Sequence, residues 1–240
     1  SVTGGTLIFY SLKGGAYPGD YRLLLYSALN VSDSKTIYIA AVNPNYETAY
    51  TSASLTILKR DITLTSGSAS MMYDGTALTQ PGVTIGGDDF VRYQGFRRDP
   101  VATGTRTIVG STANTIQVYS LNFATDPNNY NIVKNEGTLT VTPSDALNVT
   151  ATPYTGIYDG GEHTIGASAN ITSGTTLLYS TTGGTDLSAY TADKPMVKNV
   201  ADNKTIYVAA VNSNYMTAFD SAAVTLAKRS ITLISESASK

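Results

Sequence analysis

A long internal repeat constrains this chain more than any other feature. Lys35–Tyr46 reads KTIYIAAVNPNY and Lys204–Tyr215 reads KTIYVAAVNSNY, while Lys59-Arg60-Asp61-Ile62-Thr63-Leu64 is matched by Lys228-Arg229-Ser230-Ile231-Thr232-Leu233. Both pairs share one offset of 169 residues, which holds without a gap back to Tyr10-Ser11 against Tyr179-Ser180. Over Lys35–Ser70 about two-thirds of the positions are identical to their counterparts. A period of this length is too long for one solenoid turn or one small β-domain. It reads as two alternating modules of roughly 80–90 residues each, inside the ordinary domain range.

The punctuation within the period supports that division. Ile62-Thr63-Leu64 opens a strand that runs into Tyr73-Asp74-Gly75, and Leu147-Asn148-Val149 opens another that runs into Tyr158-Asp159-Gly160. The expected boundaries are 1–60 for the later part of a first module, 61–144 for a module of the second kind, 145–229 for a complete copy of the first kind, and 230–240 for the first strand of a further module of the second kind. A second framing stays open: Ser1 aligns with Asn170 and Lys240 with Met71, which also divides the chain into a unit, a spacer and a unit.

Nearly every patterned segment has a period of two, the mark of half-buried strands. In Thr36–Val42 both alternating sets are largely apolar, which predicts a central strand. In Gly137–Thr142, Leu139 and Val141 face one way and three threonines the other, and Val224 and Leu226 repeat the pattern around Thr225. Gly14-Gly15, Gly86-Gly87, Gly160-Gly161 and Gly183-Gly184 mark turns. No ten-residue amphipathic helix pattern appears, and only Pro127-Asn128-Asn129 has the makings of a short helical turn. The expected class is all-β, with sandwich-type modules in tandem. The junctions Lys59-Arg60-Asp61 and Thr142–Ala146 are too short to act as flexible tethers.

Composition narrows the function. No run of eighteen apolar residues exists, so no membrane insertion is expected from this segment. No signal peptide, wall-sorting or lipidation motif is present, and Ser1 reads as a cut inside a longer protein. A formal net charge of -2 gives no electrostatic reason to expect nucleic acid as a partner. Charged residues make up 14% of the chain, below the roughly 25% usual in globular domains, and Thr, Ser, Asn, Gly and Tyr take their place. That exchange suits exposed sheet surfaces joined by tight turns. With no Cys, disulfides and thiolate metal sites are excluded.

The residues of 61–144 run from Tyr73-Asp74-Gly75-Thr76-Ala77-Leu78 through Asn129-Tyr130-Asn131-Ile132 to Gly137-Thr138-Leu139-Thr140-Val141-Thr142-Pro143. This order resembles the MBG repeat domains of bacterial adhesins. Residues 145–229, with Tyr158-Asp159-Gly160, Leu178-Tyr179-Ser180-Thr181 and Asn214-Tyr215 before Ala227-Lys228-Arg229, resemble the bacterial Ig-like repeats that accompany them. The resemblance implies a secreted, repetitive cell-surface protein, Gram-positive and attached to the cell wall through a region outside this chain. Its repeats would act as a stalk for an adhesive or enzymatic tip. It also implies that the 61–144 kind is either Ig-like or β-grasp-like with a short helix. No catalytic residue comes with it.

The residues themselves agree with a non-enzyme. His163, the only histidine, has one adjacent acid (Glu162) and can complete neither a metal site nor a triad unaided. No Gly-x-Ser-x-Gly elbow exists. Asp20, Asp33, Asp88, Asp89, Asp126, Asp159 and Asp186 lie near turns without the ordered spacing of a calcium loop, so they are expected to cap backbone. Neither a cofactor nor a resident metal is expected. Nor are spontaneous Lys–Asn cross-links, since Ile62–Tyr73 and Leu147–Tyr158 contain no Lys. Tyrosine is the informative class. Tyr46, Tyr130 and Tyr215 recur after Asn, which predicts buried rings with hydroxyls tied to backbone. Tyr17, Tyr21, Tyr26, Tyr93 and Tyr190 sit in weakly patterned stretches and are the candidates for ligand contact by stacking on sugar rings or host protein. The two copies differ most where Leu23-Leu24-Leu25 replaces Ala192-Asp193-Lys194; the expectation is an edge strand covered by a neighbouring module, the alternative an apolar patch for a partner.

The leading functional expectation is a non-catalytic stalk or spacer in contact with neighbouring repeats of the same chain. A direct glycan- or host-protein-binding module using Leu12–Tyr21 and Thr181–Tyr190 is the alternative. Accessory modules of a secreted glycan-degrading enzyme are a weaker third.

Overall fold

The computed structural model describes residues 4–117 and 120–237. They are all-β, with no α-helix among the described residues and only short 3₁₀ turns. Contacts divide the chain into two compact units. One comprises Ser1–Ser68, Thr79–Gly104 and Ala113–Thr138; the other comprises Ala69–Leu78, Thr105–Thr112 and Leu139–Lys240. The division passes through the middle of 61–144, so it does not follow the period-based limits.

The first unit holds two three-stranded sheets. In one, Lys35–Asn43 runs between Leu7–Ser11 and Tyr46–Leu55, antiparallel to both. This is the central strand that its two apolar faces predict. In the other, Arg60–Ser66 is central, antiparallel to Val83–Gly87 and parallel to Tyr130–Asn135. Alternation along Arg60–Ser66 sends Ile62 and Leu64 inward, where they meet Ile116 and Tyr130, with Val83, Phe90, Phe96 and Ile132 packed against them. Buried polar groups close the end of that strand. Ser66 Oγ donates to the Asn114 carbonyl at 2.7 Å and accepts the Gly137 N–H at 2.9 Å, while Asn114 Nδ2 donates to the carbonyls of Gly67 and Gln80 at 3.0 and 2.7 Å. These bonds satisfy backbone that would otherwise be buried unpaired.

In the second unit a four-stranded sheet, in the order Tyr154–Ile157, Ala218–Ala227, Lys204–Val211 and Thr176–Ser180, faces the pair Val149–Thr152 and Gly166–Ala169. Between the two layers lie Ile165, Tyr179, Val197, Ile206, Val208, Ala222, Val224 and Leu226, a two-layer sandwich core. The opening segment serves both layers. Val149–Thr152 pairs antiparallel with Gly166–Ala169; after Pro153, Tyr154–Ile157 joins the other sheet parallel to Val224–Ala227. Proline has no N–H to give to a ladder and suits the point where the strand changes sheets. This unit also contains Ala69–Met72, paired in parallel with Leu139–Thr142.

Two expectations need correction. The short helix weighed for 61–144 is absent among the described residues, and Pro127–Asn129 forms a single 3₁₀ turn with the Asp126 carboxylate on the Asn128 N–H. The strand expected over 230–240 does not form over residues 230–237, which have no sheet to join; residues 238–240 lie outside the described ones.

Candidate functional site

Tyrosines organise the loops beside the sheets, and of the three predicted to be buried and tied to backbone only Tyr130 is among them. Tyr21 and Tyr190, 169 residues apart, are 5% and 6% exposed, and each donates its hydroxyl to a carbonyl six residues earlier, Gly15 or Gly184, at 2.8 Å. Burial raises both phenol pKa values above the ordinary one. Their rings are packed and their hydroxyls are engaged within the loop. The loop is pinned again at Gly14 and Gly183, whose φ angles of 67° and 73° suit glycine and whose α-carbons lie so close to the Tyr38 and Tyr207 rings that a β-carbon would approach within 2.8 and 2.7 Å. In the first copy Tyr50 adds a third tie, donating to the Ala16 carbonyl at 2.8 Å.

Of the other ligand-contact candidates, Tyr17 and Tyr93 are open to solvent at 71% and 75% exposure, and Tyr26 is half-buried. Tyr93 has a φ of 70°, uncommon for a side chain of its size, and the Arg92 guanidinium lies 4.5 Å from its ring centre. The three tyrosines expected to be buried split. Tyr130 is buried and its hydroxyl donates to Gln94 Oε1 and accepts the Val91 N–H at 3.2 Å. Tyr215 is half-buried, edge-on to Tyr73 at 5.3 Å, and Tyr46 is exposed. An Asn-Tyr pair cannot report burial when a neighbouring segment supplies the cover.

Leu23, Leu24 and Leu25 are exposed and form no strand. Only Arg22 pairs with the sheet, exchanging two 2.8 Å bonds with Tyr10, after which the chain departs. The expected covered edge strand is therefore not formed.

Five of the seven turn carboxylates, Asp33, Asp88, Asp126, Asp159 and Asp186, cap backbone. Asp33 Oδ2 accepts the N–H groups of Leu29 and Asn30 at 2.9 Å each, and Asp186 Oδ1 accepts that of Ser188 at 2.9 Å. These bonds hold both carboxyls below the usual range. His163 stacks on Tyr154 at 4.4 Å, and its Nε2 lies 2.9 Å from Asp159 Oδ1. The bond to His163, then the Gly161 N–H, lowers the Asp159 pKa. Among the described residues no three His, Cys, Asp or Glu side chains come together as a metal site. No helix among them is long and apolar enough to cross a membrane.

What the sequence reading missed is the structure of the junctions. At the first, within the first unit, Asn129 of the 3₁₀ turn Pro127–Asn129 meets the 3₁₀ turn Val31–Asp33. Its Oδ1 accepts the Val31 N–H and its Nδ2 donates to Asn30 Oδ1, both at 2.8 Å. Arg60 then reaches across to donate to the carbonyls of Asp88 and Asp89. At the second, within the second unit, Ser144 forms a parallel bridge to Tyr215, donating its N–H to the Asn214 carbonyl at 3.1 Å and accepting that of Met216 at 2.8 Å. The Asn214 side chain accepts the Val109 N–H at 3.1 Å. The recurring asparagines were the available signal, read only as turn formers.

No protein-family model matches the chain, and no curated protein does. Solved structures similar to it include Sidekick-1 immunoglobulin domains 1-5 (11% identity, 93% of this chain and 53% of that one, TM-score 0.26). Others are Drosophila OTK extracellular domains 3-5 (10% identity, 83% and 73%, TM-score 0.30) and the protocadherin GammaB4 extracellular domain (10% identity, 93% and 45%, TM-score 0.30). The chain spans about half the length of the Sidekick-1 and protocadherin chains. Overlays at these scores carry no argument about function.

Proposed function

We propose that this chain is a non-catalytic stalk region of an extracellular, bacterial cell-surface protein of the adhesin type, holding a functional tip away from the cell. The observation that carries the reading is the direction of strand pairing. Opening and closing strands run parallel in both kinds of repeat: Arg60–Thr65 with Tyr130–Asn135, Ala69–Met72 with Leu139–Thr142, and Tyr154–Ile157 with Val224–Ala227. Two paired parallel strands begin at one end and finish at the other, so the chain enters a repeat at one end and leaves at the opposite one. Tension along the chain then loads the bonds between those strands together, in shear, rather than one after another. The hydrogen-bonded junctions and the Thr-rich, sparsely charged surface support the same reading, and the bacterial setting rests on the MBG and Ig-like resemblance.

Pulling single molecules from their two ends tests it. Cooperative unfolding events are expected, and proline placed at Thr155 or Gly156 in turn should lower the force of one of them by removing a ladder N–H. Gradual extension without cooperative events would sink the stalk.

A second reading, direct binding of a glycan or host protein, is favoured by the exposed Tyr17 and Tyr93 rings. It requires binding to an arrayed glycan or host protein that Tyr17→Ala or Tyr93→Ala abolishes.

A further inference from the structure

The repeat places one junction in two states. In the first unit the turn at Asn30–Val31 is engaged by Asn129, and the strand that follows buries Ile62 and Leu64 completely, at 0% exposure each. One period later the turn is built the same way. The backbone at Asn30 has φ -114° and ψ 160°, and at Asn199 φ -114° and ψ 158°. Asp202 Oδ2 accepts the Asn199 N–H at 3.0 Å, as Asp33 Oδ2 accepts that of Asn30 at 2.9 Å. Yet among the described residues neither the Val200 N–H nor the Asn199 carboxamide oxygen is bonded to another segment. Beside them opens a cleft of about 610 Å³ lined by Tyr158, Asn199, Val200, Arg229 and Ile231. Ile231 and Leu233, the counterparts of Ile62 and Leu64, are 94% and 93% exposed.

An apolar pair that the same sequence buries in one copy and leaves in water in the other is an interface lacking its partner. We infer that this cleft seats a further β-module of the 61–144 kind, which takes Ser230–Ile234 as its central strand and sets one asparagine carboxamide on Asn199 and Val200. The occupant is specified by what fills the first copy. It offers a strand for parallel pairing, as Tyr130–Asn135 does, and one for antiparallel pairing, as Val83–Gly87 does. It brings an aromatic and aliphatic core in the manner of Phe90, Ile116 and Tyr130, and an Asp-Pro-Asn-Asn corner. A carboxamide suits the site because it accepts one bond and donates another in a fixed geometry, matching an N–H beside a carbonyl-type oxygen. The inference rests on the repeat-array reading above and adds the contact that fixes each module to the next.

The test extends the full chain after Lys240 with residues 72–144, in register because Lys240 aligns with Met71, and follows amide hydrogen exchange. In the unextended chain the Val31 amide should exchange slowly and the Val200 amide fast. In the extended chain Val200 should slow by roughly tenfold, the scale of one net hydrogen bond, and the Ile231–Ile234 amides should become protected as a strand. Asn129→Ala made in the appended copy alone should return Val200 to fast exchange while leaving the Ile231–Ile234 protection in place. Protection of Ile231–Ile234 with Val200 unchanged would overturn the inference, and so would no protection at either place. Concentration-dependent protection in the unextended chain would also overturn it, by showing a second copy in the cleft. None of these outcomes touches the pulling experiment, which judges the stalk reading without Asn199.

Discussion

Residues 1–60 and 170–229 are two copies of one sequence in different surroundings. What they share is local. Asn43 Nδ2 donates to the Gly4 carbonyl and to Thr6 Oγ1 at 3.0 Å each, and Asn212 Nδ2 makes the same two bonds, at the same length, to the Ser173 carbonyl and Thr175 Oγ1. The Tyr21 and Tyr190 anchors and the turns at Asn30 and Asn199 agree as closely. What they do not share is burial. Ala222, Val224 and Leu226 are buried, whereas Ala53 is exposed and Leu55 and Ile57 are half-buried. The layer formed by Val149–Thr152 and Gly166–Ala169 covers the one set, and the described residues 4–60 contain no equivalent of it. Hydrogen-bonded frames are thus closed within each copy of the shared sequence, while a core needs the facing layer.

The sharpest way to break this comparison is to supply that layer. Residues 145–169 fused ahead of Ser1 should restore the sandwich over Ile39, Leu55 and Ile57. Burying three aliphatic side chains that are now partly wet predicts a gain on the order of 3–6 kcal/mol, less than full transfer because each is already half-covered. Urea unfolding followed through the Ile37–Ala40 amides would measure it, and an unchanged midpoint would show that the facing layer is not what separates the copies. The next effect in size is a pair of truncations. Leu226→Ala should destabilise by about 2–5 kcal/mol, as expected for a filled core site, and Ile57→Ala at the matching position by only about 1 kcal/mol. In the fused chain the second value should rise toward the first.

Much of this was legible beforehand, and the reasons for success and failure differ by element. The central place of Thr36–Val42 and the alternating burial of Gly137–Thr142 are read correctly because each follows from the apolar pattern along a single segment. Capping by Asp33, Asp126, Asp159 and Asp186 follows from short side chains beside their own backbone, again a local matter. The failures all depend on a distant partner. Tyr21 and Tyr190 show no pattern marking them as buried, since the rings they pack against, Tyr50 and Phe219, lie on later strands. Tyr46 and Tyr215 have the same sequence context, but Tyr215 meets Tyr73 and Tyr46 is exposed. Residues 230–234 are nearly those of a core strand, and without sheet neighbours they remain coil.

A smaller effect should be common to both copies and so sharpen what is local. Tyr21→Phe and Tyr190→Phe each remove one phenol-to-carbonyl bond and should each lower stability by about 0.5–1.5 kcal/mol. Tyr50→Phe should add a further loss in the first copy through the Ala16 carbonyl, a bond that Phe219 at the matching position never makes. Unequal losses for Tyr21 and Tyr190, read from thermal unfolding of each unit, would mean that the loop frame depends on its surroundings after all.

The smallest effect separates the copies by pH. Where the second has Asp186 capping Ser188, the first has Tyr17, whose ring lies so close to Gly19 that a β-carbon there would approach it within 2.6 Å. The Ser188 N–H holds the Asp186 carboxyl below the usual range, so its folded pKa is lower than its unfolded one. Its contribution to stability is therefore fully present above the ordinary Asp pKa and is lost as pH falls through the depressed folded value. The carboxylate is solvent-exposed, so the change should be local rather than global. The Ser188 amide resonance should titrate below the ordinary Asp range, and Asp186→Asn should abolish that titration. Introducing Tyr17→Asp together with Gly19→Ser should transfer it to position 19 of the first copy, because the backbone frame that receives the cap is the same in both. A flat Ser188 resonance across the acid range would remove Asp186 as the cap. The difference between the two loops would then come from how Tyr17 packs and not from a charge.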